Sequence, residues 1–175
     1  FFARNGLSYT PVVFSESTEA KAAFFAERCD AYTTDASALT SMRLSDAENP
    51  EDFVVLPDRI SKEPLGATVR SGDDQWFDIN KWLLNTLLAA EEYGVTSENA
   101  VDMLTSDNVT VQRILGAKPG LGEVLGLDEK WAFRAISAVG NYQQLYDKHI
   151  TPLGIERAAN ELSQNGGLMY PLPMR

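Results

Sequence analysis

The sequence has very few of the residues on which metal sites, disulfides and histidine-dependent catalysis rely. Its 175 residues include one cysteine, Cys29, and one histidine, His149. A single cysteine excludes an internal disulfide, and a single histidine leaves histidine metal sites and Ser-His-Asp triads without partners. We therefore expect Cys29 to be a small packing residue and His149 to lie at the surface or to cap a helix, and we predict no cofactor.

Positive charge is also scarce. Lysine and arginine total 15 against 25 acidic residues, so the formal net charge is −10. Such a chain repels phosphate backbones and anionic membrane surfaces, which excludes nucleic acid as an expected partner. No apolar run reaches the roughly 18 residues that a membrane-spanning helix needs. Hydrophobic residues make up 44% of the chain, which suffices for a folded core.

The beginning of the sequence has none of the features of a chain start. Phe1 and Phe2 stand in place of an initiator methionine, and neither a basic segment nor an apolar segment of a signal peptide follows. We therefore expect these residues to be part of a longer protein.

The first 70 residues alternate between strand-like and helix-like segments. β-Branched and aromatic runs predict strands near residues 9–14, 30–34, 53–57 and 65–70. Between them, "STEAKAAFFAERC" predicts a helix capped by Ser17 or Thr18, and "DASALTSMRLS" predicts a second helix with Asp35 at or beside its N-cap. The alternation indicates an α/β fold.

The second half of the sequence is typical of a helical structure. Apolar residues at helical spacing follow Asp73 and Asp74 and predict a helix from Asp74 to about Gly94. We also predict helices near residues 98–115, 128–148 and 154–164, and we expect the three tryptophans to lie in the core. The segment "GLGEVLG" lacks the spacing and the preceding strand of a dinucleotide fingerprint, so we interpret it as a loop between helices.

Asp35 raises the main functional question of the sequence. It stands at the predicted carboxyl end of a strand and at the start of a helix, which is where open α/β sheets place their ligands. A plain N-cap, whose carboxylate accepts backbone amides, explains the same residue equally simply. If Asp35 binds a ligand, an ammonium group is the simplest cation for it to neutralise.

Several long segments resemble those of a known family. The stretches "ERCDAYTTDASAL", "KEPLGATVRSGDDQWFDI" and "NGGLMYPLPMR" closely resemble the general L-amino-acid-binding periplasmic proteins of ABC importers. The resemblance extends over essentially the whole chain. Members of this family are type II periplasmic binding proteins, whose two α/β lobes close on an amino acid.

The resemblance implies an incomplete α/β receptor, made of most of the second lobe and the C-terminal helices of the first. Residues 1–63 would form most of ligand-binding lobe two, residues 64–93 a hinge crossing and a helix packed on lobe one, and residues 94–175 a C-terminal helical extension. The rest of lobe one, with the arginine that binds the ligand's carboxylate, would precede Phe1. Cys29 would be half of a disulfide, which suits an oxidising periplasm.

The resemblance also implies a site and a function. Asp35 would bind the α-ammonium group of an L-amino acid, with Thr34 and Thr33 lining the same cleft. The protein would capture L-amino acids in the periplasm and deliver them to the membrane permease subunits of an ABC importer. An enzyme would need a second titratable group near Asp35, where the sequence offers only hydroxyls. The alternative is a non-catalytic structural or interaction fragment without ligand, and an exposed sheet edge would favour self-association.

Overall fold

The computed structural model of the protein describes residues 1–174. The chain divides into two compact units, Phe1–Leu65 and Gly66–Arg175. The α-helices are α1 Ser17–Phe25, α2 Ala36–Ser45, α3 Asp74–Glu92, α4 Ala100–Met103, α5 Val109–Ile114, α6 Leu121–Val124, α7 Trp131–Val139 and α8 Tyr142–His149. Short 3₁₀ turns lie at Ala3–Asn5, Pro50–Asp52, Thr151–Leu153, Ala158–Asn160 and Ser163–Asn165.

The four predicted strands are not formed. Within residues 1–174 the β-pairing is limited to an isolated bridge between Leu162 and Met169. A strand requires a ladder of hydrogen bonds to a neighbour, and no backbone hydrogen bond joins any of the four predicted segments to another. Phe53 illustrates the result, because its backbone is extended at φ −120° and ψ 140° but unpaired with a strand. The α/β layer predicted for the first unit is thus represented only by its helices.

The first unit is held together by an aromatic cluster and one ion pair. The ring of Phe53 lies 5.6 Å from that of Phe24 and 5.3 Å from that of Phe25, between centroids. Lys21 of α1 bonds Asp46, at the end of α2, with an N–O distance of 2.6 Å. The hydrogen bond from Lys21, helped by one from Ser45, lowers the pKa of Asp46 below its ordinary value. These contacts fix α1 against α2 and the loop that follows it.

Many apolar side chains of the first unit remain in contact with solvent. Val13 is 87% exposed, and Val54 and Leu65 are each 76% exposed. All three lie in segments that were predicted as strands. Side chains of strands become buried when a sheet packs against another layer, and the absence of pairing leaves these exposed.

The start of α1 differs in detail from the prediction. Glu16 occupies the N-cap position, so Ser17 and Thr18 are the first two helical residues and neither is the cap. No side chain accepts a hydrogen bond from the amides of the first turn. Helix α1 therefore depends on packing against α2 and the aromatic cluster.

Helix α3 is the central element of the second unit and confirms the predicted helix from Asp74. The carboxylate of Asp73 accepts the amide of Trp76 at 3.1 Å and caps its first turn. Its residues 85–90 are buried, and the helix packs against α5, α7 and α8. The core residues of this unit are Leu87, Ala89, Ala90, Val95, Ala100, Val111, Ile114, Leu115 and Ile136.

The remaining predicted helices are shorter than the periodicity indicated. The helix predicted at 98–115 is split into α4 and α5, because Asn108 has an extended backbone and caps α5 with its side chain. The helix predicted at 128–148 is split into α7 and α8 at Gly140, whose φ is 86°. The helix predicted at 154–164 is wrong, since Gly154 ends the preceding 3₁₀ turn in the left-handed region and only 3₁₀ turns follow.

A buried ion pair connects α3 to the segment after α8. The guanidinium of Arg157 donates to both carboxylate oxygens of Glu91, at 2.7 and 3.1 Å, and these side chains are 9% and 5% exposed. The guanidinium also lies 5.5 Å from the ring of Tyr142 and 5.7 Å from that of Tyr146. Burial lowers the pKa of Arg157, but the bonds and charge of Glu91 outweigh it and the pKa is raised.

The C-terminal tail returns to α3. Asn85, which is 8% exposed, accepts the amide of Leu172 through Oδ1 at 2.6 Å. The hydroxyl of Thr86 contacts the sulfur of Met174 at 3.4 Å. These buried polar groups find partners 87 and 88 residues away, which places the tail along the helix.

One glutamate organises the turn that precedes and begins α6. The carboxylate of Glu129 accepts the amides of Gly120, Gly122 and Glu123 at 2.9, 3.2 and 3.0 Å. Gly122 itself must lack a side chain, because a Cβ there would lie 2.7 Å from Glu129 Cα. The hydrogen bond from Gly120, followed by those from Glu123 and Gly122, holds the pKa of Glu129 below its ordinary value of 4.5.

The ion pair of Arg157 predicts an asymmetric stability effect. Arg157→Met leaves the Glu91 carboxylate buried without its partner, and we expect a loss of about 3–5 kcal/mol in the free energy of unfolding. The double variant Arg157→Met/Glu91→Leu removes both charges, so it should lose less than the single variant. Urea denaturation measures both. A double variant as unstable as the single one would contradict this account.

The Glu129 turn predicts a local dependence on pH. Because the folded-state pKa is depressed, the carboxylate stabilises the turn above pH 4.5 and this contribution is lost as the pH falls through the folded value. We expect the amides of Gly120, Gly122 and Glu123 to exchange faster with solvent below that range. In Glu129→Gln the acid-induced change should disappear, whereas the matched Glu123→Gln should retain it.

Candidate functional site

Asp35 lies at the N-cap of α2, as predicted, but the strand predicted at residues 30–34 before it is not formed. The carbonyl oxygen of Asp35 accepts the amide of Leu39 at 2.9 Å, which is the first hydrogen bond of the helix. Three residues before it, the ring of Tyr32 packs 6.0 Å from that of Phe24, between centroids. The segment that contains Asp35 is therefore anchored on one side by an aromatic contact and on the other by a helix.

The carboxylate of Asp35 does not cap the helix that it begins. Its side chain accepts no hydrogen bond from the first turn of α2, although the residue is half-buried. True caps occur elsewhere in the chain: Asp73 bonds the amide of Trp76, and Asn108 bonds the amide of Thr110 at 2.9 Å. The carboxylate of Asp35 also makes no ion pair with any residue of the described part of the chain.

The other two predicted site residues lie beside Asp35 in the same loop. Thr33 and Thr34 are exposed, and neither hydroxyl bonds another group within residues 1–174. Cys29, a few residues earlier, is a half-buried free thiol. Residues 33–35 therefore offer one carboxylate and two hydroxyls that bond no other described group.

The side chains of this loop can bind a cation. Within residues 1–174, no three acidic, cysteine or histidine side chains form a cluster that could hold a metal ion. A carboxylate held at a fixed place can bind a cation, and adjacent hydroxyls can accept hydrogen bonds from an ammonium group.

The second unit contains a cavity that the sequence did not predict. It is a cavity of about 470 Å³, and its lining includes Trp82, Arg113, Leu121, Val124, Trp131 and Met174. The prediction that all three tryptophans lie in the core is wrong. Trp82 and Trp131 are instead half-buried in the cavity wall, and Trp76 is 52% exposed. The lining residues come from distant parts of the chain, so no local motif could have revealed them.

Known proteins resemble the chain over its whole length. The general L-amino acid-binding periplasmic protein AapJ of Rhizobium johnstonii is 46% identical and matches 100% of the chain and 52% of its own length. The glutamate/glutamine/aspartate/asparagine-binding protein BztA of Rhodobacter capsulatus is 44% identical, with 100% and 53% covered. The putative amino-acid ABC transporter-binding protein YhdW of Escherichia coli is 42% identical, with 100% and 52% covered. The chain is a homologue of the amino-acid-binding periplasmic proteins of ABC transporters.

A solved structure supports the same relationship. An ABC transporter periplasmic binding protein from Brucella ovis, with glutathione bound, matches 99% of the chain and 56% of its own chain. The TM-score is 0.86 and the sequence identity is 47%, so the fold is that of the corresponding part of a periplasmic binding protein. The predicted family resemblance is thus confirmed, and the chain spans about half the length of the relatives that it matches.

No family model matches the chain. In the described part of the chain, every helix is too short or too polar to cross a lipid bilayer.

The missing cap at Asp35 predicts that the residue contributes little to stability. We expect Asp35→Ala to change the opening free energy of α2 by less than about 0.5 kcal/mol, because no side-chain hydrogen bond is lost. The matched variant Asp73→Ala removes a real cap and should cost α3 about 1 kcal/mol. Hydrogen exchange of the helix amides measures both values. Equal losses in the two variants would show that Asp35 caps α2 in solution.

Proposed function

We propose that this chain forms part of the ligand-binding site of a periplasmic amino-acid receptor that serves an ABC importer. The observation that carries the proposal is the unpaired carboxylate of Asp35, held at the start of α2 in a homologue of amino-acid-binding proteins. A half-buried carboxylate that neither caps its helix nor forms an ion pair is suited to an external cation.

The names of the relatives support a common ligand group. AapJ is named for L-amino acids in general, and BztA for glutamate, glutamine, aspartate and asparagine. The Brucella ovis protein holds glutathione, whose γ-linked glutamyl residue keeps a free α-ammonium and a free α-carboxylate. What these ligands share is the α-amino-acid head group, while their side chains differ in size and charge. We infer that the head group is the part recognised in this protein as well.

In this proposal Asp35 neutralises the α-ammonium, and Thr34 and Thr33 accept or donate hydrogen bonds beside it. A zwitterion carries a second charge, the α-carboxylate, for which residues 33–35 offer no cation. Since the chain spans about half the length of its relatives, we propose that the partner of the carboxylate belongs to the other lobe of the receptor. Closure of two lobes would then bring both charge partners to one ligand and exclude water from them.

The exposed apolar segments of the first unit fit an α/β lobe. Residues 9–14 and 53–57 would become strands once paired, which would cover side chains such as Val13 and Val54. We propose residues 1–63 as most of lobe two, 64–93 as the hinge crossing with a helix on lobe one, and 94–175 as the C-terminal helical extension. Unpaired segments of this kind also favour self-association of the chain.

The partners and location follow from the same family. We propose that the receptor works in the periplasm and passes its ligand to the permease subunits of the importer. Its task is reversible binding, for which a carboxylate and hydroxyls suffice without a catalytic base or a cofactor.

The role of Asp35 is tested by comparing L-glutamate with N-acetyl-L-glutamate, in which the ammonium is blocked. One charge-assisted contact is worth about 1.5–3 kcal/mol, so we expect the 175-residue chain to bind L-glutamate with a dissociation constant in the millimolar range or weaker. Saturation-transfer NMR should detect L-glutamate but not the acetylated compound. Asp35→Asn should abolish the signal, whereas Asp58→Asn, the same change at an exposed position of the same unit, should preserve it.

Two results would contradict the proposal. Equal signals from the two compounds would show that the ammonium is not recognised, and an undiminished signal in Asp35→Asn would place the site elsewhere. The absence of any signal in the unmodified chain would favour the alternative of a structural fragment without ligand. Light scattering on the same samples measures the expected self-association.

A further inference from the structure

The cavity of the second unit has the size and lining of a small-molecule site. Its volume of about 470 Å³ lies within the range of roughly 300–1,000 Å³ that is typical of such sites. The walls come from α3, α5, α6, α7 and the C-terminal tail, and of these α5 and α7 pack directly against α3. All of its lining residues belong to the second unit, whereas Asp35 belongs to the first.

Two indole rings give the cavity an aromatic character. Trp82 of α3 and Trp131 of α7 both line it and are half-buried. The ammonium of Lys81 lies 5.6 Å from the ring of Trp82 and restrains this side chain through a cation–π contact. Half-buried indoles provide large apolar surfaces for a flat ligand at little cost in conformational entropy.

Arg113 is the charged member of the lining. Its side chain makes no ion pair and no hydrogen bond with other described residues. Two other arginines of the unit are engaged, because Arg134 pairs with Asp128 at 2.8 Å and Arg157 pairs with Glu91. Arg113 is exposed, and its guanidinium, which lies beside two indoles in a protein of net charge −10, can bind an anion.

We propose that this cavity binds a small molecule with a flat apolar body and one anionic group, the body lying between the indoles and the anion on Arg113. The chemistry is opposite to that of the Asp35 loop, which offers a carboxylate to a cation. The two sites are therefore distinguishable by their ligands.

The test uses 1-naphthylacetate as the probe and 1-naphthylacetamide as its uncharged match. We expect naphthylacetate to bind the 175-residue chain with a submillimolar dissociation constant and the amide to bind about tenfold more weakly, which corresponds to about 1.4 kcal/mol. The indole N–H resonances of Trp82 and Trp131 should shift on titration. That of Trp76, which does not line the cavity, should stay in place and serve as an internal reference.

Different variants test the charge of Arg113 and the space inside the cavity. Arg113→Gln should weaken naphthylacetate binding about tenfold and leave the amide unchanged. The matched change Arg70→Gln, at an exposed arginine outside the lining, should alter neither. Leu121→Trp fills the cavity and should abolish binding of both compounds, with its circular dichroism spectrum confirming that it folds.

Specific results would overturn the proposal. Equal affinities for the acid and the amide, or an unchanged affinity in Arg113→Gln, would show that Arg113 does not bind the anion. Binding that survives in a folded Leu121→Trp variant would place the probe outside the cavity. No shift of Trp82 or Trp131 at 5 mM probe, a concentration well above about 1 mM, would mean that the cavity is not a binding site.

Discussion

Burying a guanidinium together with a carboxylate constrains everything that surrounds them. Arg157 and Glu91 lose most of their hydration, and only a matched geometry with two parallel hydrogen bonds compensates for this cost. The pair therefore fixes the segment after α8 at one place along α3. The rings of Tyr142 and Tyr146 cover the guanidinium, which fixes α8 at the same point. The second unit can be described as a set of helices arranged around this contact.

A polar network continues the same arrangement at the start of α8. Asn141 and Gln144 form a reciprocal capping box, and the side-chain Nδ2 of Asn141 donates to the carbonyl of Val95 at 2.9 Å. Gln144 accepts the amide of Ser97 at 3.0 Å. The loop after α3 and the beginning of α8 thus satisfy each other's polar groups, although the bonded residues are 46 and 47 positions apart in the sequence.

The sequence predicted correctly those features that depend on residues close together in the chain. Helix α3 was predicted because its apolar residues recur at helical spacing, and the position of Asp35 followed from the start of α2. The strands were predicted wrongly because β preference at a residue such as Val54 forms a strand only with a partner, and pairing is not a local property. The cavity could not be predicted for the same reason, since Trp82, Arg113 and Trp131 come together only after the helices have packed. The sequence also could not show that the carboxylate of Asp35 leaves α2 uncapped, because this depends on the conformation of the side chain.

The docking of the C-terminal tail bears on the order of folding. The contacts of Asn85 with Leu172 and of Thr86 with Met174 join residues separated by 87 and 88 positions. Closing so long a loop has a large entropic cost and gives no return until α3 and its neighbours already present a surface. The helices would therefore fold first, and the recess would come into being in the final step of folding.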